Sequence, residues 1–182
     1  VDEGRARIAF PRGAVDLLDF FARDADDRML ARLEAMDLAA MRLRERIAAA
    51  VRARIEAVSA HREAERRALS FLALPQNAPL GARLLGRTVD LMWRAAGDVS
   101  TDFSFYTKRA SLAAVHGATL LFWIADTSEG DADTWAFLER RIDDVMAVEK
   151  AKARLRERLR EAPSPVALLA RLRYPATTRM KP

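Results

Sequence analysis

Residues 14–33 have the sequence AVDLLDFFARDADDRMLARL, in which apolar side chains return every three or four positions. The positions concerned are Val15, Leu18, Phe21, Ala25, Met29 and Leu33. Residues at these spacings share one face of an α-helix, so the stretch predicts a helix with a single buried stripe.

The rest of the chain repeats this helical periodicity. Further helices are predicted over about 43–58, 61–74, 79–96, 103–125, 131–161 and 166–173. Asp102 or Ser104 can cap the helix that ends at Ala125, and Asp131 can cap the next one. The helix ending at Ala125 is the least polar, so we expect other helices to surround it. No alternating strand pattern and no internal repeat occurs, so the predicted fold is all-α.

The composition of the 182 residues is that of one folded domain, because 51% are hydrophobic and 31% are charged. These values exclude wholesale disorder. The absence of cysteine excludes a disulfide framework and a thiolate metal site.

The net positive charge of the protein comes from the end of the chain. Residues 1–149 hold 21 Lys and Arg against 24 Asp and Glu, a net charge of −3, whereas residues 150–182 hold 10 against two, a net charge of +8. We therefore expect a local anionic partner such as lipid head groups, and no nucleic acid.

No stretch of 18 apolar residues is present, so we expect no membrane span. The longest uncharged run, Ala110 to Ala125, is too short and contains His116. The first five residues do not resemble a signal peptide. We expect a further piece of protein to precede Val1.

Residue types that carry catalysis are sparse. His116 has no acidic residue three or four positions away, which favours a core histidine with one satisfied nitrogen, and His61 is expected in solvent. The oxygen-rich loop 126–133 departs from a calcium-binding loop, with Gly130 fifth rather than sixth and Phe137 where a bidentate Glu belongs. We predict no catalytic residue, no metal and a non-enzymatic protein.

Aromatic side chains crowd the later helices, and two interpretations remain open. Composition favours a plain core, but wide side chains between long helices can also line a pocket for a chain-like lipid. The candidate lipid-binding residues are Trp93, Phe122, Trp123, Trp135, Leu138 and Ile142.

Two further surfaces are candidates for binding. Phe105 and Tyr106 lie beside a polar loop and, with Met92, predict a partner-docking patch. The last predicted helix can lie in a membrane interface or pack as a lid on the domain. Its candidate membrane residues are Leu168, Leu169, Arg171, Leu172 and Arg173.

Two groups of motifs resemble known families. AFPRGAVDLL at 9–18 resembles the end of the helix-turn-helix and the start of the fourth helix in TetR-type regulators. A second group consists of three motifs in order, LMW at 91–93, STDFSFYTKRA at 100–110 and DTWAFLERRI at 133–142. This order resembles the lipid-binding accessory protein family of ubiquinone (coenzyme Q) biosynthesis, the ninth in the pathway's naming.

The second resemblance implies a TetR-like helical fold, usually dimeric, that has lost DNA binding and holds isoprenoid lipids. It implies delivery of quinone intermediates to the di-iron demethoxyubiquinone hydroxylase and membrane binding through a C-terminal amphipathic helix. The docking patch would again fall on Met92, Phe105 and Tyr106, although the family typically has Trp where this chain has Phe105.

These observations predict a helix-turn-helix remnant at 1–12, a helical lipid-binding domain at 13–161 and a basic amphipathic tail at 162–182. We expect no cofactor, but a bound isoprenoid, quinone or phospholipid. The predicted protein is a homodimer, cytoplasmic and peripheral to a bacterial inner membrane. The alternative is a TetR-type transcription regulator that senses a lipid.

Overall fold

The computed structural model describes residues 3–98 and 103–161, and this part of the chain is helical without a β-strand. Its helices are α1 (Glu3–Ala9), α2 (Ala14–Glu34), α3 (Leu43–Ala57), α4 (Arg62–Leu72), α5 (Ala78–Ala95), α6 (Phe103–Ala125) and α7 (Ala132–Glu161). The predicted all-α fold is confirmed. The predicted helix over 166–173 and the predicted cap Asp102 lie outside the described residues, and Ser104 lies within α6.

The chain forms two compact units, Val1–Ile142 and Asp143–Pro182. The first contains α1 to α6 and the start of α7, and the second contains the remainder of α7. The predicted boundaries after residues 12 and 161 stay predictions.

A tight turn after Phe10-Pro11 sets the start of α2. Gly13 takes a positive φ of 61°, a conformation that glycine adopts without a steric penalty. Asp16, in the first turn of α2, accepts hydrogen bonds from the backbone N–H and Nε of Arg12, both at 2.7 Å. The guanidinium of Arg12 holds the pKa of Asp16 below its usual value. A carboxylate is favourable in the first turn of a helix, where backbone N–H groups are unpaired.

The core begins where α2 packs along α3. Met29 and Leu33 of α2 and Val51 and Ile55 of α3 are all at most 2% exposed. Burying a side chain of this size contributes about 1.5–3 kcal/mol. The predicted stripes are therefore confirmed in their centres, but Leu43 is half exposed because it is the first residue of α3.

Helix α6 differs from its prediction. Leu112, Val115 and Trp123 are buried, but Leu121 is 62% exposed and Phe122 is 36% exposed. The helix therefore has one open face, and the expectation that other helices surround it is wrong for the described residues. Its apolar residues are numerous enough to cover both a core face and part of the surface.

A buried carboxylate joins three helices inside the first unit. Asp26 of α2 is 1% exposed and accepts hydrogen bonds from Arg54 Nε of α3 (3.0 Å), Thr88 Oγ1 of α5 (2.8 Å) and Arg87 Nε of α5 (3.0 Å). Arg54 is 5% exposed, so it draws little compensation from water. The cation and the carboxylate each depend on the other.

We predict that Asp26→Asn lowers the free energy of unfolding by about 3–5 kcal/mol, because the Arg54 cation loses its buried counter-charge. Asp24→Asn is the matched control on the same helix, since Asp24 forms a more exposed pair with Arg28. The control should change stability by at most about 1 kcal/mol. Urea denaturation measures both, and equal losses would contradict the structural role given to Asp26.

Candidate functional site

An open-sided apolar cavity of about 290 Å³ lies within the first unit, between α2 and α6. We call it the central cavity. Its apolar lining consists of Leu18, Phe21, Ala22, Ala68, Leu69, Leu72, Ala73, Gly81, Leu84, Leu85, Gly117, Leu120 and Leu121. Small residues on several helices leave space that larger side chains would have filled. A volume near 300 Å³ is at the lower end of ligand pockets in proteins.

The polar part of the lining is small and buried. It consists of Arg54, Glu65, Thr88 and His116, each at most 7% exposed. Arg54 and Thr88 donate to Asp26, so two of these four side chains are held by the buried carboxylate. Burial raises the pKa of the Glu65 carboxyl, although the nearby Arg54 cation opposes this shift.

His116 is a buried histidine, as predicted, with 3% exposure. We predicted that one ring nitrogen of His116 has a hydrogen-bond partner. That nitrogen is not Nδ1, which is buried and has no such partner among the described residues. Burial lowers the pKa of His116 to about 3, and the Arg54 cation acts in the same direction. The imidazole is therefore neutral at physiological pH, and it lines the cavity.

We predict a pH-dependent stability that His116→Leu removes. Above pH 6.5 the imidazole is neutral in both the folded and the unfolded chain and contributes nothing. Below pH 6.5 the imidazole of the unfolded chain becomes protonated, whereas the buried imidazole of the folded chain stays neutral until about pH 3. The free energy of unfolding of the wild type therefore falls by up to about 1.4 kcal/mol per pH unit.

Chemical denaturation of the wild type and the variant at pH 7, 6 and 5 measures this difference. Glu65, whose raised pKa has the opposite effect on stability, is present in both proteins and is therefore controlled for. Parallel stability profiles for the two proteins would show that His116 is not buried as described.

The central cavity does not lie among the aromatic side chains where the sequence placed it. None of Trp93, Phe122, Trp123, Trp135, Leu138 and Ile142 lines it. Trp93, Trp123, Leu138 and Ile142 are buried, and Phe122 stacks on Phe137 with ring centroids 4.6 Å apart. Trp135 and Leu138 border a second depression beside α3. A role of these six residues in lipid binding stays a prediction.

Polar contacts explain why two of these rings do not form a cavity. Trp123 donates its Nε1–H to Asp131 at 3.0 Å, and the guanidinium of Arg62 lies 4.4 Å from its ring centroid. Trp135 donates to the carbonyl of Gly130 at 3.0 Å, under the guanidinium of Arg52 at 4.6 Å. Tryptophan combines a large apolar ring with one donor, and here both are engaged.

The predicted docking patch is only partly at the surface. Tyr106 is 70% exposed, but Met92 is fully buried, because it lies on the face of α5 that packs into the core. Met92 is therefore wrong as a docking residue. The side chain of Phe105 lies outside the described part of the structure.

The polar loop before α7 is a helix-capping device. Asp126 accepts hydrogen bonds from the backbone N–H of Ser128 (2.8 Å) and of Thr134 (2.9 Å), and from the Thr134 hydroxyl, which most strongly lowers the pKa of Asp126. The prediction that Asp131 caps α7 is wrong, because its carboxylate accepts hydrogen bonds from Arg62 and Trp123 instead. Within the described residues, no group of three or more acidic or histidine side chains could hold a metal ion.

The residues predicted to contact a membrane, Leu168, Leu169, Arg171, Leu172 and Arg173, lie outside the described residues. Among the helices that the structure describes, none has the length and apolar character needed to span a bilayer. The end of α7 carries exposed basic side chains, including Lys150, Lys152 and Arg154.

The polar end of the cavity was not predicted from the sequence, although the positions of two charged residues indicated it. Asp26 lies three residues before Met29 and seven before Leu33, and Arg54 lies three after Val51. Both charged residues therefore occupy the buried faces of their predicted helices. One acidic and one basic residue on facing buried stripes indicates an internal ion pair.

Comparisons with known proteins confirm the resemblance over the middle of the chain. Residues 78–149 match the COQ9 family model, and this segment contains α5, α6 and the first part of α7. The motifs at 91–93, 100–110 and 133–142 fall within the match, whereas residues 9–18 precede it.

Curated relatives of the chain are named ubiquinone biosynthesis proteins. The human protein "Ubiquinone biosynthesis protein COQ9, mitochondrial" is 52% identical over 80 residues, which cover 44% of this chain and 25% of the human protein. COQ9-B of Xenopus laevis is 43% identical over 99 residues, covering 54% of this chain and 34% of that protein. The matched segments thus span a quarter to a third of these relatives.

A solved structure shares the fold. The TetR transcriptional regulator from Nitrosomonas europaea superposes with a TM-score of 0.59 and 23% sequence identity, covering 70% of each chain. The predicted TetR-like fold is confirmed.

Proposed function

We propose that this chain, whose residues 78–149 match the COQ9 family, is a lipid-binding accessory protein of ubiquinone biosynthesis. It binds an isoprenoid or quinone lipid in the central cavity and presents it to a hydroxylase at a membrane. The observation that carries the proposal is an apolar cavity built partly by the matched segment, through Leu84, Leu85 and Leu120.

The chemistry of the lining supports an apolar chain as the ligand. Each methylene transferred from water to such a lining contributes about 0.8 kcal/mol, so a few isoprene units bind without a charged anchor. The cavity side is open at Leu121, which is 62% exposed, and at Ala73, which is also exposed. A longer chain can leave the cavity through this opening.

Gly117 offers a direct way to close the cavity. It lies within α6 and lines the cavity, and a Cβ added there would meet no atom within 4 Å. Gly86 of α5 has equally open space but is exposed and does not line the cavity. Leucine at Gly117 therefore fills the ligand space, and leucine at Gly86 does not.

We predict that Gly117→Leu removes most of the lipid that co-purifies with the protein. Excluding two methylenes at about 0.8 kcal/mol each weakens binding by about tenfold. Mass spectrometry of organic extracts measures quinones, isoprenoids and phospholipids, with Gly86→Leu expected at the wild-type level. A wild-type extract that lacks all three lipid classes would refute the proposed function, as would equal lipid in wild type and Gly117→Leu.

Tyr106 is the residue of the docking patch that is exposed in the described structure, and we propose that it contacts the hydroxylase. An exposed tyrosine on one turn of a helix can bury a large area against a partner, and such residues often dominate binding. The partner we expect is the di-iron demethoxyubiquinone hydroxylase or an analogous enzyme.

We predict that Tyr106→Ala weakens binding to that hydroxylase about tenfold or more, while lowering the stability of this protein by less than a core substitution does. Phe20→Ala is the control, because Phe20 is 60% exposed and lies on α2. Surface plasmon resonance and thermal unfolding measure the two effects. A stability loss as large as that of a core substitution, or an equal loss of binding in the control, would contradict the assignment.

We propose further that the basic end of the chain binds anionic membranes. Residues 150–182 carry a net charge of +8, and each Lys or Arg near an anionic surface contributes about 1 kcal/mol. Lys150, Lys152 and Arg154 are exposed on α7.

Deletion of residues 162–182 removes four of these eight net positive charges together with the predicted amphipathic helix. We therefore predict strongly weakened co-sedimentation with vesicles containing phosphatidylserine and an unchanged midpoint of thermal unfolding. Vesicles of phosphatidylcholine alone are the control for charge. Undiminished co-sedimentation of the shortened chain would exclude the tail as the membrane anchor.

The alternative function, a TetR-type transcription regulator that senses a lipid, has the same fold. A shared fold at 23% identity does not carry function, which resides in particular sites. The predicted homodimer and the predicted absence of nucleic-acid binding stay predictions.

A further inference from the structure

The carboxyl group of Glu65 is buried in the wall of the central cavity without a partner. Glu65 lies on α4, is 7% exposed and lines the cavity. No described residue forms a hydrogen bond or an ion pair with its carboxyl group. The buried carboxylate of Asp26 differs, because three side chains donate hydrogen bonds to it. The hydration of Glu65 therefore depends on what the cavity contains.

Few charged groups face Glu65 from the surrounding helices. Within the described residues, Arg54 of α3 and His116 of α6 are the other titratable side chains of the lining. Asp26 of α2 pairs with Arg54 and with Arg87 of α5, each at 3.0 Å, so the charge of Arg54 is already matched. The remaining titratable residues of α4 and of the turn before it do not line the cavity, and they are His61, Arg62, Glu63, Arg66 and Arg67.

Glu65 is the residue of the lining whose protonation can respond to the contents of the cavity. Arg54 stays protonated, as arginine does throughout proteins. Burial lowers the pKa of His116 to about 3, so its imidazole is neutral from pH 5 to pH 8. Burial raises the pKa of the Glu65 carboxyl, and the nearby Arg54 cation only partly opposes this.

A ligand in the cavity changes the surroundings of this carboxyl group. The cavity is open at one side, so water reaches Glu65 when no ligand is bound. A hydrocarbon that fills the cavity removes this water and offers no hydrogen bond in its place. An ionised carboxylate is strongly disfavoured in such surroundings, whereas the protonated carboxyl group is not. Filling the cavity therefore favours the protonated form of Glu65.

We propose that Glu65 binds one proton when a ligand fills the central cavity and releases that proton when the ligand leaves. The proton comes from the solvent and converts the carboxylate into a carboxylic acid, while the ligand itself is chemically unchanged. The ligand is therefore held more tightly at low pH and leaves more readily as the pH rises. This inference rests on the proposed lipid-binding function and adds its dependence on protons.

Isothermal titration calorimetry of the 182-residue chain with butylbenzene tests the coupling. Butylbenzene has no group that titrates, so every proton exchanged belongs to the protein. At about 30 Å³ for each non-hydrogen atom, its carbon atoms match the cavity volume of about 290 Å³. Titrations at pH 5, 6, 7 and 8, each in two buffers of different ionisation enthalpy, count the protons taken up.

We expect a maximum uptake of at least about half a proton per butylbenzene bound. This is the value for a ligand that binds the protonated protein about tenfold more tightly than the ionised protein. The affinity should accordingly fall by at least about tenfold in total from pH 5 to pH 8.

Two variants with the same chemical change identify the residue. Glu65→Gln replaces the carboxyl group by an uncharged group of the same shape, so it should bind butylbenzene without proton uptake and with one affinity from pH 5 to pH 8. Glu63→Gln is the matched control on the same helix. Glu63 is exposed, pairs with Arg67 at 3.0 Å and does not line the cavity, so this variant should keep the wild-type uptake.

The outcomes separate this inference from the function on which it rests. Binding to the wild type without proton uptake at any of the four pH values would overturn the coupling alone. Uptake that persists in Glu65→Gln, or is lost in Glu63→Gln, would overturn the assignment to Glu65. Failure of butylbenzene to bind at any pH would overturn the lipid-binding function itself. The wild-type proton count needs no variant, so it decides the coupling even if Glu65→Gln does not fold.

Discussion

The first unit of this protein depends on a carboxylate that has almost no contact with water. Asp26 receives hydrogen bonds from Arg54, Arg87 and Thr88, and so connects α2 with α3 and α5. An ionised carboxylate in such a place is tolerated only when cations and donors surround it. Arg54 and Thr88 also line the central cavity, so the interaction that joins the helices also positions part of the cavity wall.

The helices could be predicted because they are determined locally. Spacings of three and four predict a helix wherever they occur, and the helix ends follow from residues such as Gly13 at a positive φ. The centres of the stripes, such as Met29 and Val51, are buried as predicted. The exposure of Leu43 at the start of α3 and of Leu121 on the open face of α6 was harder to predict, because it depends on which partners a helix meets in three dimensions.

The cavity could not be placed from residue types alone, since a cavity is formed by what is missing. Large aromatic residues attract attention in a sequence, yet Trp123 and Trp135 have their N–H groups and ring faces engaged by Asp131, Gly130 and arginines. Small residues on facing helices, such as Ala68 and Gly117, leave the space instead. The cluster at its polar end brings together residues 54, 65, 88 and 116, and their proximity depends on the tertiary packing of four helices. The family pattern in residues 78–149 was recognisable because it consists of contiguous motifs.

The central claim is that the space between α2 and α6 holds a lipid. A crystal structure of the protein purified without added detergent tests it most directly. The account predicts elongated electron density in that space, lying between Leu84 and Leu120 and leaving past Leu121. A structure in which Leu84 and Leu120 close the space, with no density between them, would contradict it.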